Sequence, residues 1–292
     1  ENLLRAADNS IAIEEFREDE FSNVLTRKEL ESKALKMAGW MKSKGVKKGD
    51  RVCAYMPNCS ETVISMLATS ALGAIFSSCS SDFGIEGVID RFEQIEPKIM
   101  IAANGYLYNG KVIDRLEEVN TISKRLPSLE HIIVVEYISS TIGINKLPNF
   151  NTVFQSDILE NYVLCEFNDP LYIVFSSGTT GKPKCITHGI GGVLIQHAKE
   201  HLLHINLSKK QKMFYFTTCG WMMWNWLVSS LASKASIVLF EGFPMYKRND
   251  LLIKLVNKEK ITLFGVSAKY IDSLKKLNVS ALGKYKLNQL NT

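Results

Sequence analysis

Leu171-Tyr172-Ile173-Val174-Phe175 runs directly into Ser176-Ser177-Gly178-Thr179-Thr180-Gly181-Lys182-Pro183-Lys184, an apolar strand followed by a loop with four hydroxyls, two glycines and two lysines in nine residues. Glycines let the backbone bring its N–H groups close to an anion, hydroxyls add directed donors, and lysine brings a point charge to a phosphate chain. The composition is equally that of a surface turn that binds nothing. A Walker A loop is excluded by spacing. Only Thr179 and Thr180 separate Gly178 from Gly181-Lys182, where four residues are required, and Pro183 stands where Ser or Thr is required.

Outward from this stretch, helix and strand periodicities alternate through most of the 292 residues, the pattern of an α/β protein with layered, largely parallel sheets. Thr26-Arg27-Lys28-Glu29 has the form of a capping box, and Leu30, Ala34, Met37, Ala38 and Met41 then fall on one helical face up to Gly45. A strand is expected from Arg51 to Met56, then a helix capped by Ser60 and ended by Gly73, and a short strand from Ala74 to Ser77. Helix Glu86 to Ile95, strand Lys98 to Ala102 and helix Lys111 to Leu126 follow, leading to the buried strand Ile132 to Val135. We expect residues 1–138 to form a first α/β layer and residues 139–168 a connection. Residues 169–292 are expected to form a second layer carrying the glycine-rich loop, with strands near Tyr172, Cys185, Met213, Ser236 and Thr262.

Composition narrows the class. The chain is 46% hydrophobic and 22% charged, enough to bury sizeable cores. Its net charge of +5 is spread along the chain and gives no basis for nucleic acid as a partner. The six cysteines form no Cys-x-x-Cys pair and lie in apolar or strand-like runs, which points to a reducing, cytoplasmic compartment. No apolar signal core follows Glu1, so nothing directs secretion, and the natural start is expected upstream. Met213 to Ser233 carries no charged residue at about the length of a membrane span. Gly220, Asn225 and the paired Thr and Ser residues break the run, and strand, loop and helix fit it better, so no membrane association is expected. His197, His201 and His204 recur at helical spacing, but no acidic or cysteine partner completes a metal site, and none is assigned.

Residue for residue, Ser176 to Lys184 resembles the phosphate loop of the adenylate-forming superfamily, Ser/Thr-Ser/Thr-Gly-Ser/Thr-Thr-Gly-x-Pro-Lys. The segments Ser81-Asp82-Phe83-Gly84, Asp90-Arg91-Phe92, Tyr108-Asn109-Gly110-Lys111, His188 to Gly192, Gln196 to His201, Thr217 to Trp226 and Ser267-Ala268-Lys269-Tyr270 are similar to the acetoacetyl-CoA synthetase branch. The resemblance covers nearly the whole chain. It implies the large domain of these enzymes, incomplete here, with ATP and CoA as cosubstrates, acetoacetate as the acid and Mg2+ with the nucleotide. Ser176, Ser177, Gly178, Thr179, Thr180 and Gly181 would then meet the ATP phosphates, with Lys184 the catalytic lysine of the loop. Trp221, Met222 and Met223 would line the acyl pocket, and Phe83 and Gly84 would lie beside CoA. Lys111 stands where relatives place an Arg that meets a CoA phosphate, keeping the charge but losing bidentate geometry. Later family elements for adenine, ribose, Mg2+ and the mobile C-terminal domain do not occur in the sequence. Two other readings stay open: a synthetase for another short acid, and a truncated, non-catalytic nucleotide-binding protein.

Overall fold

The computed structural model describes residues 1–4, 7–139, 147–176, 181–280 and 283–291. Among these, two large sheets carry the fold. The six-stranded sheet has the order β10 (Lys184–Gly189), β9 (Pro170–Ser176), β4 (Ile75–Ser80), β3 (Arg51–Met56), β5 (Ile99–Ala103) and β8 (His131–Val135). It is parallel except for the β9–β10 hairpin. The five-stranded sheet runs β13 (Leu263–Gly265), β11 (Lys212–Tyr215), β12 (Ser236–Glu241), β1 (Ile11–Arg17) and β2 (Ser22–Thr26), parallel except for β1–β2.

Period-two alternation places the sheets in a five-layer stack. On β3, Val52, Ala54 and Met56 join the central core, while Cys53 and Tyr55 join an outer core under α3 (Ile85–Phe92) and α4 (Leu116–Arg125). On β12, Ile237 and Leu239 face the central core, and Val238 and Phe240 face α7 (Leu251–Lys258) and α8 (Ala268–Lys276). The middle layer contains α1 (Arg27–Ser43), α2 (Ser60–Ala71) and α6 (Met222–Ser229). Strands buried on both faces need apolar residues, which is why β5 is apolar throughout and β3 is apolar from Val52 to Met56. The sheets interleave across 139–168: β1 and β2 precede it yet lie with β11–β13, while β9 and β10 follow it yet lie with β3–β5.

The capping box at Thr26 and Glu29 forms, and α1 ends at Ser43, before Gly45 at φ +76°. Two expectations are corrected. Ser60 does not cap α2; its N–H and Oγ donate instead to the Glu15 carboxylate of β1, at 3.1 and 2.8 Å. A carboxylate from the neighbouring sheet thus serves the positive end of α2. Residues 111–114 are not helical. Asn109 and Gly110, at φ +51° and +76°, close a hairpin between β6 (Gly105–Tyr108) and β7 (Lys111–Asp114), and α4 begins only at Leu116. Two successive residues with positive φ are what a two-residue hairpin turn demands. Helix α5 (Ile190–Ala198) continues as a π-helix over Lys199–His204. His197 and His201 turn inward to Ser229, whereas His204 is exposed, so the three imidazoles do not converge.

No helix among the described residues is long and apolar enough to cross a membrane, and Met213 to Ser233 folds as β11, a loop and α6. All six cysteines are free thiols.

Candidate functional site

The parallel strands β4, β11, β12 and β13 end on one side of the molecule, and the segments leaving them enclose a cleft of about 630 Å³. Ser80, Asp82, Thr217, Glu241 and Lys269 supply its polar lining, and Tyr106, Tyr108, Phe216, Phe243 and Tyr270 its aromatic walls. Ligands in open α/β proteins gather at the carboxyl ends of strands, and a pocket mixing apolar wall with a few convergent polar groups is the usual form of a small-molecule site.

Glu241 is set at the cleft base by a chain of contacts. Its Oε2 accepts from Asn58 N–H at 2.7 Å; Trp224 Nε1 donates to Asn58 Oδ1 at 2.9 Å, and Asn58 Nδ2 donates to the Thr217 carbonyl at 3.2 Å. Burial pushes this carboxyl up to about 7, against the Asn58 hydrogen bond that favours its charged form, with the negative charges of Asp82, Glu15 and Glu18 adding to the rise. Glu18 accepts from Asn109, Gly110 and Phe243 N–H groups at 2.9, 2.7 and 2.6 Å, so one carboxylate ties the β6–β7 turn to the segment after β12.

The glycine-rich loop is presented by the β9–β10 hairpin, in which Lys184 stands opposite Ser176. Ser177, Gly178, Thr179 and Thr180 lie outside the described residues. Lys184 opens β10 and is exposed, and Gly181 is exposed with open space where a side chain would project. Phe83 and Gly84 occupy the turn after β4. Tyr55 Oη donates to the Phe83 carbonyl at 2.7 Å, the Arg91 guanidinium lies 4.6 Å from the Phe83 ring centroid, and Gly84 caps α3. Lys111 is exposed at the start of β7.

Trp221 and Met222 are 60% and 40% exposed at the start of α6, and with Met223 they fall outside the cleft lining. Trp224 is wholly buried. A Cβ at Gly220 would come 3.3 Å from Ser80 N and 3.8 Å from the Phe83 ring, so the Trp221 segment borders the Phe83 turn. The structure therefore brings Phe83, Gly84 and the Trp221 segment together.

Sequence reading did not single out the cleft residues Glu241 and Tyr106, nor Glu18, which ties down the β6–β7 turn. A signal was available for the first: Ser236-Ile237-Val238-Leu239-Phe240 is a buried strand that ends in an acid followed by Gly242, the position where α/β proteins place polar site groups.

Among the described residues no three His, Cys, Asp or Glu side chains converge as a metal cage. Mg2+ usually keeps several waters and binds through substrate phosphates, so dedicated protein ligands are not a requirement.

The chain spans less than half the length of the curated relatives it matches. It is 42% identical to the acetoacetyl-CoA synthetase of Mus musculus, over all of this chain and 45% of that protein. It is 44% identical to the acetoacetyl-coenzyme A synthetase of Rhizobium meliloti, over 94% of this chain and 43% of that one. Among solved structures, acetoacetyl-CoA synthetase from Streptomyces lividans superposes with a TM-score of 0.94 at 34% identity, covering 99% of this chain and 45% of its own. The sequence profile described as AMP-binding enzyme matches residues 5–291, and the chain belongs to that family.

Proposed function

We propose that a polypeptide of the relatives' length carrying this chain is an ATP-dependent acetoacetate:CoA ligase. A carboxylate oxygen of acetoacetate attacks the α-phosphorus of ATP, the bond to the β-phosphate oxygen breaks, and pyrophosphate leaves. The CoA thiolate then attacks the acyl carbonyl and AMP departs. The observation that carries this reading is the loop Ser176 to Lys184, its family signature complete in sequence, borne on a hairpin beside the strand ends that form the cleft. The identity of the acid rests on the relatives, several of which are named acetoacetyl-CoA synthetase.

In this reading the residues act by position and charge. Ser176, Ser177, Thr179, Thr180 and the glycine N–H groups hold the β- and γ-phosphates, and Lys184 meets the charge that builds on departing pyrophosphate. Phe83, Gly84 and Lys111 receive CoA, with Lys111 as a point charge for a phosphate. Trp221, Met222 and Met223 shape the acyl pocket. Methionine supplies an adaptable apolar wall but no donor, so the keto oxygen of acetoacetate takes its hydrogen bond from another group. The free thiols accord with a reducing, cytoplasmic compartment.

Acid-dependent exchange of labelled pyrophosphate into ATP tests the reading on the full-length protein. Acetoacetate should give the highest kcat/KM among acetate, acetoacetate and hexanoate. Met223→Ala should shift the ranking toward the longer acid, since one methylene is worth about 1–3 kcal/mol in such pockets. Exchange that no acid stimulates would overturn the ligase, and an unchanged ranking would remove the methionine from the pocket.

A further inference from the structure

The C-terminal turn of α3, with its 3-10 extension Glu93–Ile95, touches both the Phe83 turn and the glycine-rich hairpin. Gln94 makes the contact with the hairpin. Its amide nitrogen lies 2.6 Å from the Asp90 carbonyl and 2.9 Å from the Pro183 carbonyl. Both neighbours can only accept, so the nitrogen must be the atom facing them, and each of its two hydrogens has one partner. One bond braces the side chain on its own helix; the other reaches the loop between Gly181 and Lys184. Beside it, Lys182 Nζ lies 3.3 Å from Glu93 Oε2, an exposed pair of small energetic weight.

Arg91 holds the other end. Its Nη1 donates to the Gly87 carbonyl at 2.6 Å, which fixes the guanidinium on the helix. The guanidinium carbon then lies 4.6 Å from the ring centroid of Phe83 and 5.8 Å from that of Phe175. Phe175 immediately precedes the loop and pairs with Cys185 across the hairpin. Cation–ring attraction at this range orients both rings about one charge. The two described limbs of the glycine-rich hairpin are therefore held from α3, one through Phe175 and the other through Pro183.

We propose that Arg91 and Gln94 are positioning residues for the phosphate loop: α3 acts as a strut that fixes the spacing between the loop and the Phe83 turn, so that the loop donors meet the ATP phosphates together. This rests on the reading of the loop as an ATP site. It assigns Lys182 a different part from Lys184, since Glu93 engages the former while the latter stands at the strand opening opposite Ser176.

The test is calorimetric ATP binding to the full-length protein and to Gln94→Met and Arg91→Leu, with acid-dependent pyrophosphate exchange in parallel. Gln94 is exposed, so its replacement should leave the unfolding midpoint unchanged. Loss of one neutral hydrogen bond should weaken ATP binding by roughly 2- to 12-fold. The KM for the acid should stay within about twofold, because the acid does not touch the strut. Arg91→Leu should weaken ATP at least as much, and Arg91→Lys should recover part of the loss by restoring charge over the rings. ATP affinity unchanged in Gln94→Met and Arg91→Leu, or KM values for ATP and acid that rise together, would overturn the proposal. Wild-type protein that binds ATP but activates no acid would defeat the ligase reading and leave the strut to be decided by the binding ratios; wild-type protein that binds no ATP would defeat both.

Discussion

Lys184 and Lys182 are two residues apart, yet their surroundings assign them different work. Lys182 is paired with Glu93, whereas Lys184 opens β10 across from Ser176, exposed and next to the loop whose hydroxyls would face phosphate. Under the proposed function the Lys184 charge meets the phosphates and helps only while pyrophosphate is present. Lys184→Ala in the full-length protein should therefore slow formation of acyl-AMP by about 10- to 150-fold, the rate equivalent of about 1.5–3 kcal/mol for a charge-assisted hydrogen bond expressed in the transition state. Thioester formation from pre-made acyl-AMP should be nearly normal. Equal defects from ATP plus acid and from acyl-AMP would remove Lys184 from the phosphates.

Single turns decide how well the elements present these residues. The Asn109-Gly110 turn places Lys111, and its N–H groups are held by Glu18. Gly110 sits at φ +76°, and a Cβ there would come 2.9 Å from the Tyr246 ring. Gly110→Ala should then cost about 1–2 kcal/mol from the left-handed backbone alone, lowering the unfolding midpoint by roughly 2–6 °C, as calorimetry would register. A full midpoint in that variant would mean that the hairpin does not form. The turn was written in the sequence as Asn-Gly, but Val112, Ile113, Leu116, Val119 and Ile122 also fit a helical face, and that periodicity outweighed it. Strands β3, β5 and β8 were legible because a strand buried on both faces is largely apolar. Strand β1 was not: Ile11-Ala12-Ile13-Glu14-Glu15-Phe16 buries two carboxylates, and their partners, Lys212 and Ser60, become neighbours only after folding. The same holds for the site. The glycine-rich loop is contiguous, so its family signature could be matched in the sequence, whereas the cleft is assembled from the ends of four strands spread between Ser80 and Ser267.

At the scale of the molecule, the two sheets are joined by buried polar contacts whose protonation sets a pH response. Glu15 reaches from β1 to the start of α2 and Glu241 from β12 to Asn58, while His197 and His201 meet Ser229 near the end of α6. Burial raises Glu15 and Glu241 from 4.5 to about 7, in Glu15 with the help of the Glu61 charge, and lowers His197 and His201 from 6.5 to about 4. A raised carboxyl contributes stability that is fully present below 4.5 and is lost as pH rises through 7. A depressed imidazole contributes stability that is present above 6.5 and is lost as pH falls through 4. Between pH 5 and 6 the two pairs nearly cancel, because the folded carboxyls and the unfolded imidazoles bind almost equal numbers of protons. Above pH 6 these carboxyls outweigh His197 and His201, and the unfolding free energy should fall by up to about 1 kcal/mol by pH 8, with the imidazole of His188, depressed by burial, acting against the fall. Urea unfolding at pH 6 and pH 8 measures this directly. Glu241→Gln keeps an oxygen to accept from Asn58 N–H but removes one titrating carboxyl; the imidazoles then outweigh Glu15, and the fall should vanish or reverse slightly. If wild type and Glu241→Gln lose the same stability between these two pH values, the Glu241 carboxyl does not titrate there and the sheet junction is already ionised at pH 6.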